Sequence, residues 1–199
     1  MRIISGIYRG RQLKSPPSAQ TRPTSDRLRE TLFNVLAPRI EGARFLDLCA
    51  GTGAVGIEAL SRGAEHVTFV DQSRKMCGLI EANLTALEIE SEKVEVVSAD
   101  AAAFLKKSGK RREPSLTVGL LPRVSAPFDI IFFDPPYAAD YEAVLSFIAE
   151  QQRQLVSDGG IVIVEHYKKK ELEEEFGPLV RYRTLKQGDS VLSFFKPAA

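Results

Sequence analysis

From residue 44 onward, short apolar runs alternate with stretches of helical spacing. Arg44–Cys49, Val67–Val70, Val94–Ser98 and Phe128–Phe133 are brief and mostly apolar. Such runs read as strands buried on both faces. Between them Val55–Arg62, Arg74–Leu87 and residues 100–107 carry helical patterns, the first stopped at Gly63. Tyr141–Leu155 predicts a further helix, and Gly159-Gly160 introduces a strand over Ile161–Glu165. Leu179–Leu185 and Ser190–Lys196 flank Lys186–Asp189, which predicts an antiparallel hairpin. Strands alternating with helices predict an α/β, Rossmann-like fold with helices on both faces of its sheet. We expect seven strands, mainly parallel, with the last antiparallel.

The first forty residues follow a different pattern. Residues 3–13 alternate weakly around Tyr8-Arg9-Gly10-Arg11, which predicts an N-terminal β-hairpin extension. Pro16, Pro17 and Pro23 make 14–23 a loop. Thr24 or Ser25 can cap a helix, with Asp26 in its first turn, and Leu28, Leu32, Val35 and Leu36 form its apolar stripe. Pro38 ends it. Residues 106–127 also break the rhythm, with five basic residues at the start and three prolines, and read as a surface insertion. The expected division is a hairpin-and-helix extension over 1–40 and a catalytic domain over 41–199.

Charge changes the picture locally rather than globally. The net charge of the chain is +1. Residues 1–40 hold eight basic residues against Asp26 and Glu30, a net +6, so the remainder carries −5. A basic arm on a mildly acidic body suits a nucleic-acid partner. Cys49 and Cys77 form no CxxC pair, so neither a disulfide framework nor a metal site is expected. No apolar run approaches the length of about 18 residues that a membrane span needs, and a soluble, cytoplasmic monomer is expected.

The chemistry starts with Asp47-Leu48-Cys49-Ala50-Gly51-Thr52-Gly53-Ala54-Val55-Gly56, which leaves a strand and opens a helix. Glycines let backbone lie close against a nucleotide-like cofactor at the carboxyl end of the strand. Alone, the spacing of Gly51, Gly53 and Gly56 also fits a dinucleotide site, and in either reading Asp71 can accept from ribose hydroxyls. Asp47 discriminates between them. A carboxylate before the turn repels a pyrophosphate but suits S-adenosylmethionine, with its ammonium and sulfonium. Asp100, at the end of the third strand, is either a partner for the cofactor's adenine amine or a helix cap. The expected cofactor contacts are therefore Asp47, Ala50, Gly51, Gly53, Asp71, Gln72, Asp100 and Ala101.

Ile130-Ile131-Phe132-Phe133 runs into Asp134-Pro135-Pro136-Tyr137. Two prolines stiffen the exit from the strand. An exocyclic amine on a base is a poor nucleophile because its lone pair is delocalised. Two fixed acceptors, the Asp134 carboxylate and the Pro135 carbonyl, would hold its N–H groups and expose that lone pair, while Tyr137 stacks on the base. A base in a helix must be unpaired or flipped to reach such a loop. His66 and His166 lack partners at catalytic or ligand spacing.

These segments together resemble a known family. Asp47–Gly56 with Asp134–Tyr137 is similar to the class I methyltransferase fold and its amino-methylating signature. Arg2-Ile3-Ile4-Ser5-Gly6, Tyr8-Arg9-Gly10-Arg11, Arg22–Asn34 and Ala59–Ala64 narrow the resemblance to the RsmD family of bacterial 16S rRNA guanine-N2 methyltransferases. The resemblance implies methylation of one guanine N2 in small-subunit rRNA. It implies RNA contacts from Arg9, Arg11, Arg22 and Arg29, and closure over the cofactor by Thr24 and Arg27. The insertion at 106–127 departs from the compact family pattern. An adenine-N6 methyltransferase acting on DNA or RNA is the alternative, since the same loop chemistry serves adenine.

Overall fold

The computed structural model describes residues 1–16, 26–108, 126–136 and 139–198. Helix α1 covers Asp26–Leu36 and runs into a 3-10 turn over Ala37–Arg39. Then come β1 (Arg44–Leu48), α2 (Ala54–Ser61), β2 (His66–Asp71), α3 (Arg74–Ala86), β3 (Val94–Ser98) and α4 (Ala101–Ser108). After them lie β4 (Phe128–Phe133), α5 (Tyr141–Glu150), α6 (Gln152–Leu155), β5 (Val156–Tyr167), β6 (Glu175–Phe176), β7 (Leu179–Gln187) and β8 (Ser190–Pro197). The expected helix over Tyr141–Leu155 breaks at Gln151.

The sheet has eight strands in the order β3-β2-β1-β4-β5-β8-β7-β6. The first five in that order are parallel, and β8, β7 and β6 are joined by antiparallel pairings. The expected count of seven misses β6, a two-residue edge strand too short to show an alternating pattern. The chain steps outward from β1 to β2 and β3, then returns to place β4 on the other side of β1. That reversal opens a crevice at the carboxyl ends of β1 and β4, where a fold of this kind takes its ligand.

Alternation in the central strands divides two cores. Phe45, Ile130, Phe132, Ile161 and Ile163 face the layer holding α1, α2 and α3. Leu46, Leu48, Ile131, Phe133, Val162 and Val164 face α4 and α5. α1 buries Leu28, Leu32 and Leu36 as its stripe predicts, with Phe33 added.

α2 is buried on every side, including Glu58 and Ser61. One face lies on the sheet so closely that a Cβ on Gly56 would sit 2.3 Å from a ring carbon of Phe69. The other face is covered by the first residues of the chain. Ile4 and Ser5 donate their backbone N–H groups to the Glu58 carboxylate at 2.8 and 2.9 Å. Ile7 donates to the Ser61 carbonyl at 2.8 Å. Gly6, at φ +83, passes so near that a Cβ would overlap the Ser61 carbonyl oxygen. Residues 1–13 double back on themselves through backbone bonds from Ile3 to Arg11 and from Leu13 to Met1, with a single antiparallel bridge between Arg2 and Gln12. The ladder is shorter than the expected hairpin because these residues spend their hydrogen bonds on α2.

Asn83, on α3, fixes the far end of this segment. Its side-chain oxygen accepts from the Lys14 N–H at 2.8 Å, and its amide nitrogen donates to the carbonyls of Lys14 and Thr52 at 3.2 and 3.3 Å. One buried amide thus ties the basic arm to the glycine-rich turn. Among the described residues, no helix is long and apolar enough to cross a membrane.

Candidate active site

The crevice at the switch of strand order is a cavity of about 910 Å³. Asp47 comes to it from β1, Asp71 and Gln72 from the end of β2, and Asp100 and Ala101 from the start of α4. Ala50 and Gly51 of the glycine-rich turn line it, as do Asp134, Pro135 and Pro136 at the end of β4. The two motifs are neighbours because β1 and β4 are paired in parallel, Leu48 beside Phe133. Asp134 donates its own N–H to the Leu48 carbonyl at 3.3 Å.

Each acid in this cavity has a local structural task. Asp47 is buried, and its carboxylate accepts from the Gly56 N–H at 2.9 Å. It thereby caps α2, whose own N-cap, Gly53 at φ +75, has no side chain to offer. Asp71 accepts from the N–H groups of Gly51 and Ser73, both at 2.8 Å, and so holds the turn against β2. Each of its oxygens keeps capacity for a further donor. Asp100 accepts from the Ala103 N–H at 3.1 Å. It is therefore a helix cap and a cavity residue at once, which joins the two alternatives its position suggested.

The electrostatics favour a cation. Burial pushes the Asp47 carboxyl up to about 7, with Asp71 adding to the rise and the Gly56 bond opposing it. The Cys49 thiol is pushed up to about 12, first by burial and then by Asp71, Asp134, Asp47 and Asp100. Four acids around one neutral thiol make a site where positive charge is welcome. Cys49 adopts φ +65, an uncommon conformation for a residue with a Cβ. Such strain concentrates where a chain must turn against a ligand.

Not every expected residue is found lining the cavity. Thr24, Arg22, Tyr137 and most of the 106–127 insertion fall outside the described residues. Arg27 is exposed on the first turn of α1 and is not among the cavity residues. Arg9 and Arg11 are exposed, and Arg11 donates to the Ala86 carbonyl at 2.9 Å. Arg29 corrects the expectation of an RNA contact. Its side chain is fully buried, donating to the Arg2 carbonyl at 2.7 Å and to Asp26 at 3.0 Å, with Glu58 at 3.7 Å. Helical spacing puts position 29 beside Leu28 and Leu32 on the inner face, so this arginine organises the arm from beneath.

The cavity also has walls the motifs do not announce: Met1, Met76, Glu165, Gln187 and Ser190. Gln187 accepts from the Thr31 hydroxyl at 3.0 Å, which brings α1 to the β7–β8 turn. Glu165 ends the apolar run Ile161–Val164 much as Asp134 ends Phe128–Phe133, and that pattern was available in the sequence. A second hollow, of about 700 Å³, lies among Arg39, Gly159 and Tyr182 and contains none of the residues singled out for chemistry. Among the described residues no three His, Cys, Asp or Glu are grouped to hold a metal ion.

Comparison with known proteins agrees with this geometry. The family model described as "Conserved hypothetical protein 95" matches residues 1–196. The chain is 38% identical over 197 residues to the Bacillus subtilis protein named "Putative rRNA methyltransferase YlbH", covering 98% of each. It is 36% identical over 173 residues to "Ribosomal RNA small subunit methyltransferase D" of Haemophilus influenzae, covering 86% of this chain and 81% of that protein. A solved structure titled "Putative methyltransferase yhhF from Escherichia coli" aligns with a TM-score of 0.80 at 31% identity, over 100% of this chain and 98% of that one. A match along almost the whole chain, on a class I methyltransferase sheet with both motifs at one cavity, means that this chain belongs to the RsmD family of methyltransferases.

Proposed function

We propose that the protein transfers a methyl group from S-adenosylmethionine to the exocyclic N2 amine of a guanine in 16S rRNA of the small ribosomal subunit. The observation that carries this reading is the pairing of β1 with β4, which puts Asp134 and Pro135 at the same cavity as Asp47 and Gly51. The name of the Haemophilus influenzae relative supports the ribosomal substrate.

The residues present fit the cofactor. S-adenosylmethionine, when bound, supplies an electrophilic methyl group on a positively charged sulfur. Asp47 and the acids around Cys49 compensate positive charge, Asp71 has acceptor capacity for ribose hydroxyls, and Asp100 suits the adenine amine. Asp134 and the Pro135 carbonyl accept the two N–H bonds of the target amine and turn its lone pair toward the methyl carbon. The proton shed by the methylated nitrogen passes along the same hydrogen bond to Asp134. The exposed Arg9 and Arg11 supply phosphate contacts on the arm, and Arg22 adds to them.

Labelled methyl transfer to small-subunit particles from a strain lacking the homologous enzyme, followed by mass spectrometry of digested rRNA, tests the reading. The expected product is one N2-methylguanine. Label on adenine, or on DNA alone, overturns it.

A pH dependence follows from Asp47. In the free protein its carboxyl is protonated below about 7. A cationic ligand favours the ionised form, so binding there expels a proton. The affinity for S-adenosylmethionine should therefore fall by up to about tenfold per pH unit below 7 and level off above it. The same raised carboxyl lowers fold stability as pH climbs from about 4 to about 7, because the folded state holds the proton more tightly than the unfolded one. Calorimetry at pH 6 and 8 in buffers of different ionisation enthalpy reads the proton directly, and no release at pH 6 would remove Asp47 from this role.

A further inference from the structure

We propose that Glu165 reads the target base, as the specificity-determining residue that prefers guanine to adenine; this rests on the guanine-N2 reading above. β5 is the strand beside β4 on the side away from β1. The register pairs Phe132 with Ile163 and Phe133 with Val164. The next residues along are Asp134, just past the carboxyl end of β4, and Glu165, near the carboxyl end of the neighbouring parallel strand β5. Strand alternation gives them one face: Phe132 and Ile163 share a core, and Phe133 and Val164 share the opposite one. Both acids line the cavity, and Glu165 is 9% exposed.

Two acceptors side by side define what edge of a base they can receive. Guanine presents N1–H and N2–H next to each other, both donors. With Asp134 taking an N2–H, the neighbouring Glu165 carboxylate meets N1–H. Adenine presents its amine N–H beside N1, which is an acceptor there. Bound in the same way, adenine would turn the N1 lone pair toward a second carboxylate. A carboxylate so withdrawn from water punishes that mismatch, because solvent cannot intervene. The loop Asp134–Pro136 serves any exocyclic amine, whereas Glu165 distinguishes what lies beside it.

2-Aminopurine, which also lacks guanine's O6, probes this contact through the change in preference when Glu165 is altered. It keeps the N2 amine and replaces guanine's N1–H with an acceptor nitrogen. Small-subunit particles reconstituted with guanine or 2-aminopurine at the target position are the two substrates. The wild-type protein should favour guanine in kcat/KM by about 10⁴- to 10⁵-fold, the scale of sites built to hydrogen-bond a substrate N–H. Glu165→Gln can turn its amide to donate to the N1 acceptor, so the preference should collapse toward one or invert, with S-adenosylmethionine affinity nearly unchanged. Glu165→Asp keeps the charge but withdraws it by one methylene, and should keep the preference while lowering kcat. A residue that only supports the fold would change both substrates alike and leave the ratio intact.

The failures are distinguishable. If the wild type methylates guanine N2 but Glu165→Gln keeps the full preference, the role of Glu165 is overturned and the function stands. If the wild-type ratio is already near one, Glu165 has no such role even without a foldable variant. If the methyl appears on adenine, the guanine reading falls and the role of Glu165 falls with it.

Discussion

Asp134→Ala is expected to lower methyl transfer by about 10²- to 10³-fold, the scale seen when one preorganised hydrogen-bonding group at a reacting centre is removed. S-adenosylmethionine binding should change by less than about tenfold, because Asp47, Asp71 and Asp100 remain to compensate its positive charge. The reason is geometric. Asp134 is tied through its own N–H to Leu48 and followed by two prolines, so its position is fixed before a base arrives. The alanine variant leaves that backbone in place and removes only the acceptor. Asp134→Asn keeps one acceptor oxygen without the charge and should lie between alanine and wild type. Single-turnover transfer and calorimetry separate the two quantities. Equal losses in binding and turnover would show that Asp134 holds the cofactor instead.

Glu58→Ala should destabilise the fold by about 3–5 kcal/mol, the cost of breaking a buried ion-pair network by removing one partner. For a chain of this length that corresponds to a fall in Tm of about 6–20 °C. Glu58 is fully buried and accepts from Ile4, Ser5 and the Arg62 side chain, with Arg29 close by. Burial already pulls the Arg29 guanidinium down from its ordinary value, against the pull of Glu58 and Asp26. Removing Glu58 leaves the buried Arg29 with Asp26 as its one remaining carboxylate, takes the partner from Arg62 and frees two backbone donors together. Arg62→Ala, which removes an only partly buried partner, should cost far less. Urea unfolding of the two variants gives the comparison, and equal costs would mean that the arm contributes little.

The central layers were legible because their signals are local. β1, β2 and β4 are short apolar runs buried on both faces, β3 is a short half-buried edge strand, and α2, α3 and α4 follow β1, β2 and β3 in turn. The glycine turn and the acid–proline loop carry their chemistry in consecutive residues, so both could be read and joined. The missing parts depend on contacts distant in sequence. Arg29 looks like any surface arginine until Glu58 is seen beneath it. Asn83 sits in an ordinary helix pattern, and its link to Lys14 and Thr52 exists only in three dimensions. The two-residue β6 has no period to detect, and the bending of the expected helix at Gln151 leaves its apolar spacing unbroken.

The arm's attachment to α2 has a consequence for synthesis on the ribosome. Ile4 and Ser5 are made well before their acceptor, which lies 54 and 53 residues further along the chain. At a translation rate of about 5–20 residues per second, those amides wait several seconds for Glu58 to be made, and longer for it to clear the exit tunnel. Asn83, which secures Lys14, arrives later still, 69 residues downstream. The arm therefore cannot settle until α2 and α3, far downstream of it, have been made.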